Sequence, residues 1–159
     1  MRSARLAAAA LAVAMLGLSA AHAQQGAEAV PPKYSVVVTL SAKAAAKMTA
    51  TKEQTVVDVT YSGDPNAAGK KKVTEFGILL GEEQVKLGPT GGTVAFVGKG
   101  FKPAEVKFIK PGSAKVLVNV FSARLGNEDN LLDCGLFEGS FAEAATKPVS
   151  IACKLIGEP

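Results

Sequence analysis

Residues 55–61 read Thr-Val-Val-Asp-Val-Thr-Tyr, and this stretch decides the fold class. Thr55, Val57, Val59 and Tyr61 alternate with Val56, Asp58 and Thr60, the period-2 pattern of a strand, in side chains that favour extended backbone. Ser62-Gly63-Asp64-Pro65-Asn66 follows and collects the residue types on which turns depend. Working outward, the same pattern of short alternating runs and turn clusters recurs over residues 34–40, 73–80, 83–87, 93–98, 106–110, 115–124, 131–137 and 149–156. Two segments favour helix, the Ala- and Lys-rich residues 42–50, which lack a substantial apolar stripe, and residues 139–146. Both are too short to stand without packing on a sheet.

These readings predict an all-β fold over residues 34–159. The expected form is a single β-sandwich, immunoglobulin-like or transthyretin-like, of about eight or nine strands with at most one or two short helices. Two immunoglobulin hallmarks are absent, because the chain has no tryptophan and its cysteines lie too close together to join early and late strands.

The chain opens with Arg2 and Arg5, an apolar run from Leu6 to Leu18, and the small residues Ala21 and Ala23 around His22. That is the grammar of a secretory signal over residues 1–23, with cleavage after Ala23. The run is well short of the roughly 20 residues needed to span a bilayer, so no transmembrane anchor is expected after cleavage. Residues 24–33, with Pro31-Pro32, read as a flexible lead-in to the domain. The expected location is periplasmic or secreted, and in such a compartment Cys134 and Cys153 are expected to form a disulfide joining the last strand to the one before it.

Loss of Arg2 and Arg5 lowers the formal charge from +4 to about +2, too mild to indicate a nucleic-acid partner. It also leaves Arg124 as the sole arginine. His22 is the only histidine and falls inside the signal. Its loss excludes His-dependent nucleophilic catalysis and nearly all imidazole-built zinc or copper sites. Met48, left alone after the signal, offers no copper path. No serine has a lysine three residues on, and Gly98-Lys99-Gly100 lacks the spacing of a phosphate loop. Ser41 and Lys43 read as a commonplace surface pair. The adjacent carboxylates Glu82-Glu83 and Glu128-Asp129 read as solvated loop charges rather than a glycosidase pair.

Gly126-Asn127-Glu128-Asp129-Asn130, with Asp133 beyond, gathers oxygen ligands suited to calcium, but the spacing departs from the EF-hand loop. An ordinary turn is the favoured reading. No cofactor is implied. Lys70-Lys71-Lys72 is the longest run of like charge and is expected at one end of the sandwich, as a contact for an anionic cell-envelope component or, more blandly, as a solubilising loop. The functional expectation is an exported, non-catalytic binding or interaction module, partnered by an unknown protein or that anionic component, and not an enzyme. The alternatives are an inhibitor of a periplasmic or extracellular enzyme acting through the segment between the cysteines, or a small carboxylate-dependent hydrolase.

Overall fold

A computed structural model describes residues 30–159. The expected signal, His22 and the first part of the lead-in lie outside the described residues. The chain runs β1 (Tyr34–Leu40), α1 (Ala42–Ala50), β2 (Thr55–Gly63), β3 (Ile78–Leu87), β4 (Gly91–Phe96), β5 (Lys115–Ser122), β6 (Leu132–Cys134), β7 (Phe137–Ser140), α2 (Phe141–Thr146) and β8 (Val149–Leu155). The strands form two four-stranded sheets, ordered β4-β1-β8-β6 and β3-β2-β5-β7, so the fold is an all-β sandwich.

Alternation decides which residues meet between the sheets. Thr55, Val57, Val59 and Tyr61 of β2 are fully buried, as are Val116 and Val118 of β5 and Val36 of β1. A fully buried valine contributes about 1.5–3 kcal/mol relative to an exposed one. The ends are closed by the helices. Ala44 and Met48, one turn apart on α1, are both fully buried, which is the narrow apolar stripe that composition alone had hidden. The Ser41 side chain caps α1 by accepting from Ala44 N–H, and its hydroxyl donates to Glu158, so Ser41 belongs to the helix cap. α2 opens on a capping box between Ser140 and Glu143.

Four expectations need correction. Residues 73–80 and 83–87 are not two strands; residues 74–77 turn, and a single strand runs from Ile78 to Leu87. It survives Gly81 through a bulge opposite Tyr61 and Ser62. Gly81 is required there, because a Cβ would lie 2.1 Å from the carbonyl oxygen of Gly100, which crosses the strand. Glu82 and Glu83 therefore stand on this strand and not in a loop. Residues 106–110 form no strand; Pro103 begins a 3-10 turn that runs to Phe108. The 131–137 run divides at Gly135-Leu136, leaving β6 in one sheet and β7 in the other. Finally, the part of residues 139–146 before Phe141 is extended.

Cys134 and Cys153 are directly opposite and bonded, with Cα atoms 4.1 Å apart. The bond joins β8 to β6, with β7 intervening in sequence, and it points to an oxidising, non-cytoplasmic compartment. Among the described residues no helix is long and apolar enough to cross a membrane.

Candidate functional site

One concavity follows from a mismatch in strand length. β5 has eight residues, but β7 pairs with it only from Lys115 to Val118. The ladder fixes what the rest of β5 presents. Ala123 N–H donates to Gln54 O, so odd-numbered residues of β5 bond towards β2 and even-numbered ones away from it. Val116 and Val118 spend their outward groups on β7, while the amide and carbonyl of Val120 face the space where β7 has ended.

The same parity holds across β6. Gly135 N–H donates to Ala152 O and Ile156 N–H to Leu131 O, which turns Asp133 towards β8 and leaves Leu132 and Cys134 facing outward. The Asn130 side chain meets Leu132 as a neighbouring strand would, accepting its N–H at 3.1 Å and donating Nδ2 to its carbonyl at 2.7 Å. Asn130 Oδ1 also accepts from the N–H and hydroxyl of Ser122, and so stitches β5 to β6. Between these edges lies a cleft of about 620 Å³, lined by Asn119, Val120, Phe121, Arg124, Asn130, Leu132, Asp133, Cys134 and Ile156.

A buried carboxylate positions the loop above the cleft. Glu53 is 1 % exposed, and its Oε1 accepts the backbone N–H groups of Gly126 and Asn127. Burial works to raise its pKa, but hydrogen bonds from Gly126, Leu125 and Asn127 outweigh that and hold the carboxyl below its ordinary range. Its Oε2, like Thr55 Oγ1, is buried without a partner. The non-glycine residues in left-handed conformation among those described are Lys52 (φ 55°) and Arg124 (φ 57°). They flank the two sides of this clasp, so the backbone strain sits where the loop is gripped. Gly126 fits because a Cβ would come within 2.8 Å of Thr51 O.

Arg124 lines the cleft and takes part in neither ion pair found among the described residues, Lys72–Glu105 and Lys115–Glu138. Asp133 has Lys154 as its cross-strand neighbour. Ile156, which lines the cleft, is more than half exposed, as are Leu125 and Leu136 elsewhere on the surface. The calcium reading gains nothing here. Asn130 Oδ1 already takes three donors, and no cluster of three or more His, Cys, Asp or Glu side chains suited to a metal occurs among the described residues.

Lys70, Lys71 and Lys72 form a 3-10 turn held against the 103–108 turn, where Asn66 donates to the carbonyls of Lys107 and Ile109. They are not equivalent. All three are exposed, but Lys72 pairs with Glu105 at 2.8 Å and lies 4.3 Å above the Phe108 ring, whereas Lys70 and Lys71 take part in no ion pair among the described residues. Lys107, 5.1 Å from the same ring, joins this face from a distant part of the sequence.

At the opposite edge of the sandwich Tyr34 and Tyr61 approach hydroxyl to hydroxyl at 3.4 Å, and Tyr61 donates to Glu83 at 2.9 Å. Burial, with a smaller push from Glu83, raises Tyr34 to about 12, and burial and hydrogen bonding raise Tyr61 further. Glu83 stands opposite buried Val59 and so faces inward, while Glu82 is exposed.

Sequence reasoning named the loop that carries Asn130 but did not find Glu53, Asn119 or Arg124 as parts of one site. Their placement depends on which strand edge remains unpaired, and no local pattern records that. Compared with known proteins, the chain matches no protein-family model, no curated protein and no solved structure.

Proposed function

We infer that this chain is an exported, non-catalytic binding module of the periplasm or cell exterior, and that the β5–β6 cleft is its recognition site. The observation that carries the reading is the cleft itself, where an arginine without an ion pair and outward-facing backbone groups share one concavity. A binding site of this kind needs a few placed polar groups in a pre-formed pocket, and no proton-transfer pair. The inhibitor alternative has less support, because the segment enclosed by the disulfide is taken up by β7, α2 and most of β8 rather than by a projecting loop. The carboxylate-hydrolase alternative would rest on Asp133 or Glu83. A pH-dependent hydrolysis lost in Asp133→Asn or Glu83→Gln would favour it.

The test is affinity capture from a periplasmic extract with the disulfide-bonded chain as bait, beside a bait carrying Asn119→Ala and Arg124→Asn. A retained ligand that the double variant fails to hold is the expected result. An identical captured set with both baits removes the cleft from the account. A second reading has its own support, since the Lys70–Lys72 turn and Lys107 come together at the Phe108 ring through Lys72, a cluster of cations suited to an anionic envelope component.

A further inference from the structure

We propose that the cleft takes a neutral saccharide, a short run of uncharged sugar rings whose hydroxyls meet Asn119, Arg124 and Asp133 while a ring face lies on Phe121. The inference rests on the reading of the cleft as a binding site and names its ligand class.

Strand alternation turns these side chains outward. Val118, Val120 and Ser122 of β5 are buried, so Asn119 and Phe121 between them face away from the core, and Asp133 stands exposed on β6 between buried Leu132 and the disulfide. All three line the cleft together with Arg124 and Ile156. The backbone beneath is closed, since Val120 is 2 % exposed and Asn130 binds β5 to β6. Recognition therefore falls to the outward side chains.

Their charges disfavour an ionic ligand. Arg124 and Asp133 line the same cleft, one of each sign, and neither is in an ion pair among the described residues. An acid would face Asp133 and a base would face Arg124, whereas a hydroxyl both donates and accepts and so suits either. Neighbouring hydroxyls on a sugar ring match planar groups that take two partners at once. A carboxylate accepts twice, a guanidinium donates twice, and the Asn119 carboxamide does one of each. Asn119 also lies opposite Asp58, which accepts from Gln84 at 3.1 Å. That row crosses β5, β2 and β3, so a saccharide leaving the cleft meets further hydrogen-bonding groups.

The apolar part of the lining fits the same class. Half-buried Phe121 supplies an aromatic ring, whose negative face favours the slightly positive C–H groups on the face of a sugar. Ile156 adds exposed apolar surface beside it. The volume of about 620 Å³ lies within the ~300–1,000 Å³ of ordinary ligand sites. The disulfide, the Asn130 stitch and the Glu53 clasp hold the walls in place beforehand, which lowers the ordering cost of binding.

The test uses the full chain, exported so that the disulfide forms, with the Asn119 carboxamide, the Arg124 Nε–H and the Asp133 amide followed by NMR. The probes are the neutral tetramers of glucose, mannose and N-acetylglucosamine, set against the acidic tetramer of galacturonate and the basic tetramer of glucosamine. The expected result is that at least one neutral tetramer shifts all three signals and binds more tightly than either charged one. Asn119→Ala, at an exposed position, should weaken that binding about fivefold, the worth of one net hydrogen bond. Asp133→Asn should weaken it similarly and also improve the binding of galacturonate, a gain that a merely structural role for Asp133 would not produce. Equal or tighter binding of a charged tetramer at the same signals would overturn the neutral class and leave the cleft a binding site. No shift with any tetramer would overturn the saccharide inference. The cleft reading itself is then decided by the two capture baits, which keep it if their captured sets differ and remove it if the sets are identical.

Discussion

The two edges of this sandwich are finished in different ways. Towards the β3–β4 edge the gap between sheets is filled by Tyr34 stacked on Phe96, by Phe101 packed edge-on to Tyr61, and by the inward carboxylate of Glu83. Residues 101–102 also bond onto β3, with Lys102 N–H donating to Leu80 O. An inward-pointing charge and a crossing loop are both ways of denying a strand edge to another chain. The β5–β6 edge has neither device over Val120 and Cys134. It is held instead by a disulfide, by the Asn130 stitch and by the Glu53 clasp, all of which fix its shape without filling it. One edge is thus filled by side chains and crossed by a loop, whereas the other is braced by bonds that leave a concavity beside it.

Removing the braces should sharpen this contrast. The largest effect is expected from replacing Cys134 and Cys153 together by alanine, which should lower the unfolding free energy by about 2–5 kcal/mol in a denaturant titration. The loss should be accompanied by faster amide exchange in β6 before any change near Tyr61.

Next comes Glu53→Gln, which exchanges a charged acceptor for a neutral one beneath two backbone donors, at a cost of about 1–3 kcal/mol at neutral pH. Because the folded pKa of Glu53 lies below the unfolded value of about 4.3, its contribution is fully present above that pH and is lost as pH falls through the folded pKa. The variant should therefore lose part of the acid sensitivity of the wild type. Glu143 and Glu158, also lowered by hydrogen bonds, will keep the remainder. An unchanged slope of stability against pH would separate Glu53 from the clasp role.

At the sealed edge a smaller effect is expected. Tyr61→Phe removes the hydroxyl between Tyr34 and Glu83 and should cost about 0.5–1.5 kcal/mol. The chain has two tyrosines, and both are raised, so the folded protein should show no tyrosinate absorbance until the pH passes about 11. Here the sign is opposite to that of Glu53. A raised folded pKa of a group that ionises to an anion removes stability as pH rises above the unfolded value near 10. Tyrosinate appearing at pH ~10 without unfolding would mean that this edge is open to water.

Smallest of all should be Lys70→Gln with Lys71→Gln. Exposed side chains outside ion pairs change stability by no more than about 0.5 kcal/mol. Retention on an anionic matrix at low salt should nevertheless fall, while Lys72→Gln, already compensated by Glu105, should change retention less. Equal losses from all three lysines would erase the distinction that the Glu105 pair draws.

The strands that alternate strictly between turn clusters were legible from sequence alone. β1 and α1 fall at residues 34–40 and 42–50, and β2 and β5 differ from expectation only at their ends. Failures came where a decision was tertiary. The Val106-Lys107-Phe108 run looks extended, but Pro103 and the contacts with Asn66 and Lys72 make it a turn. Gly81 reads as a strand breaker and is a bulge, because only the crossing of residues 100–101 reveals why a glycine stands there. The site was less legible than the fold. Asn130 drew attention as an oxygen ligand, yet its oxygen is spent on Ser122 and Leu132. Glu53, between Lys52 and Gln54, resembles any solvated turn until α1 is known to end above it.

The parallel pairing of β1 with β8 reaches into the order of assembly. Val36 to Leu40 lie beside Val149 to Cys153 in the middle of their sheet, so the first strand of the domain acquires that neighbour only when nearly the whole chain is present. Contacts between such distant residues make for slow folding, since the loop they close must be ordered before the pairing stabilises it. A chain emerging residue by residue on the far side of a membrane would thus carry β1 with only β4 to pair with until the last strand arrives. Completion of the sheet coincides with the arrival of Cys153 beside Cys134.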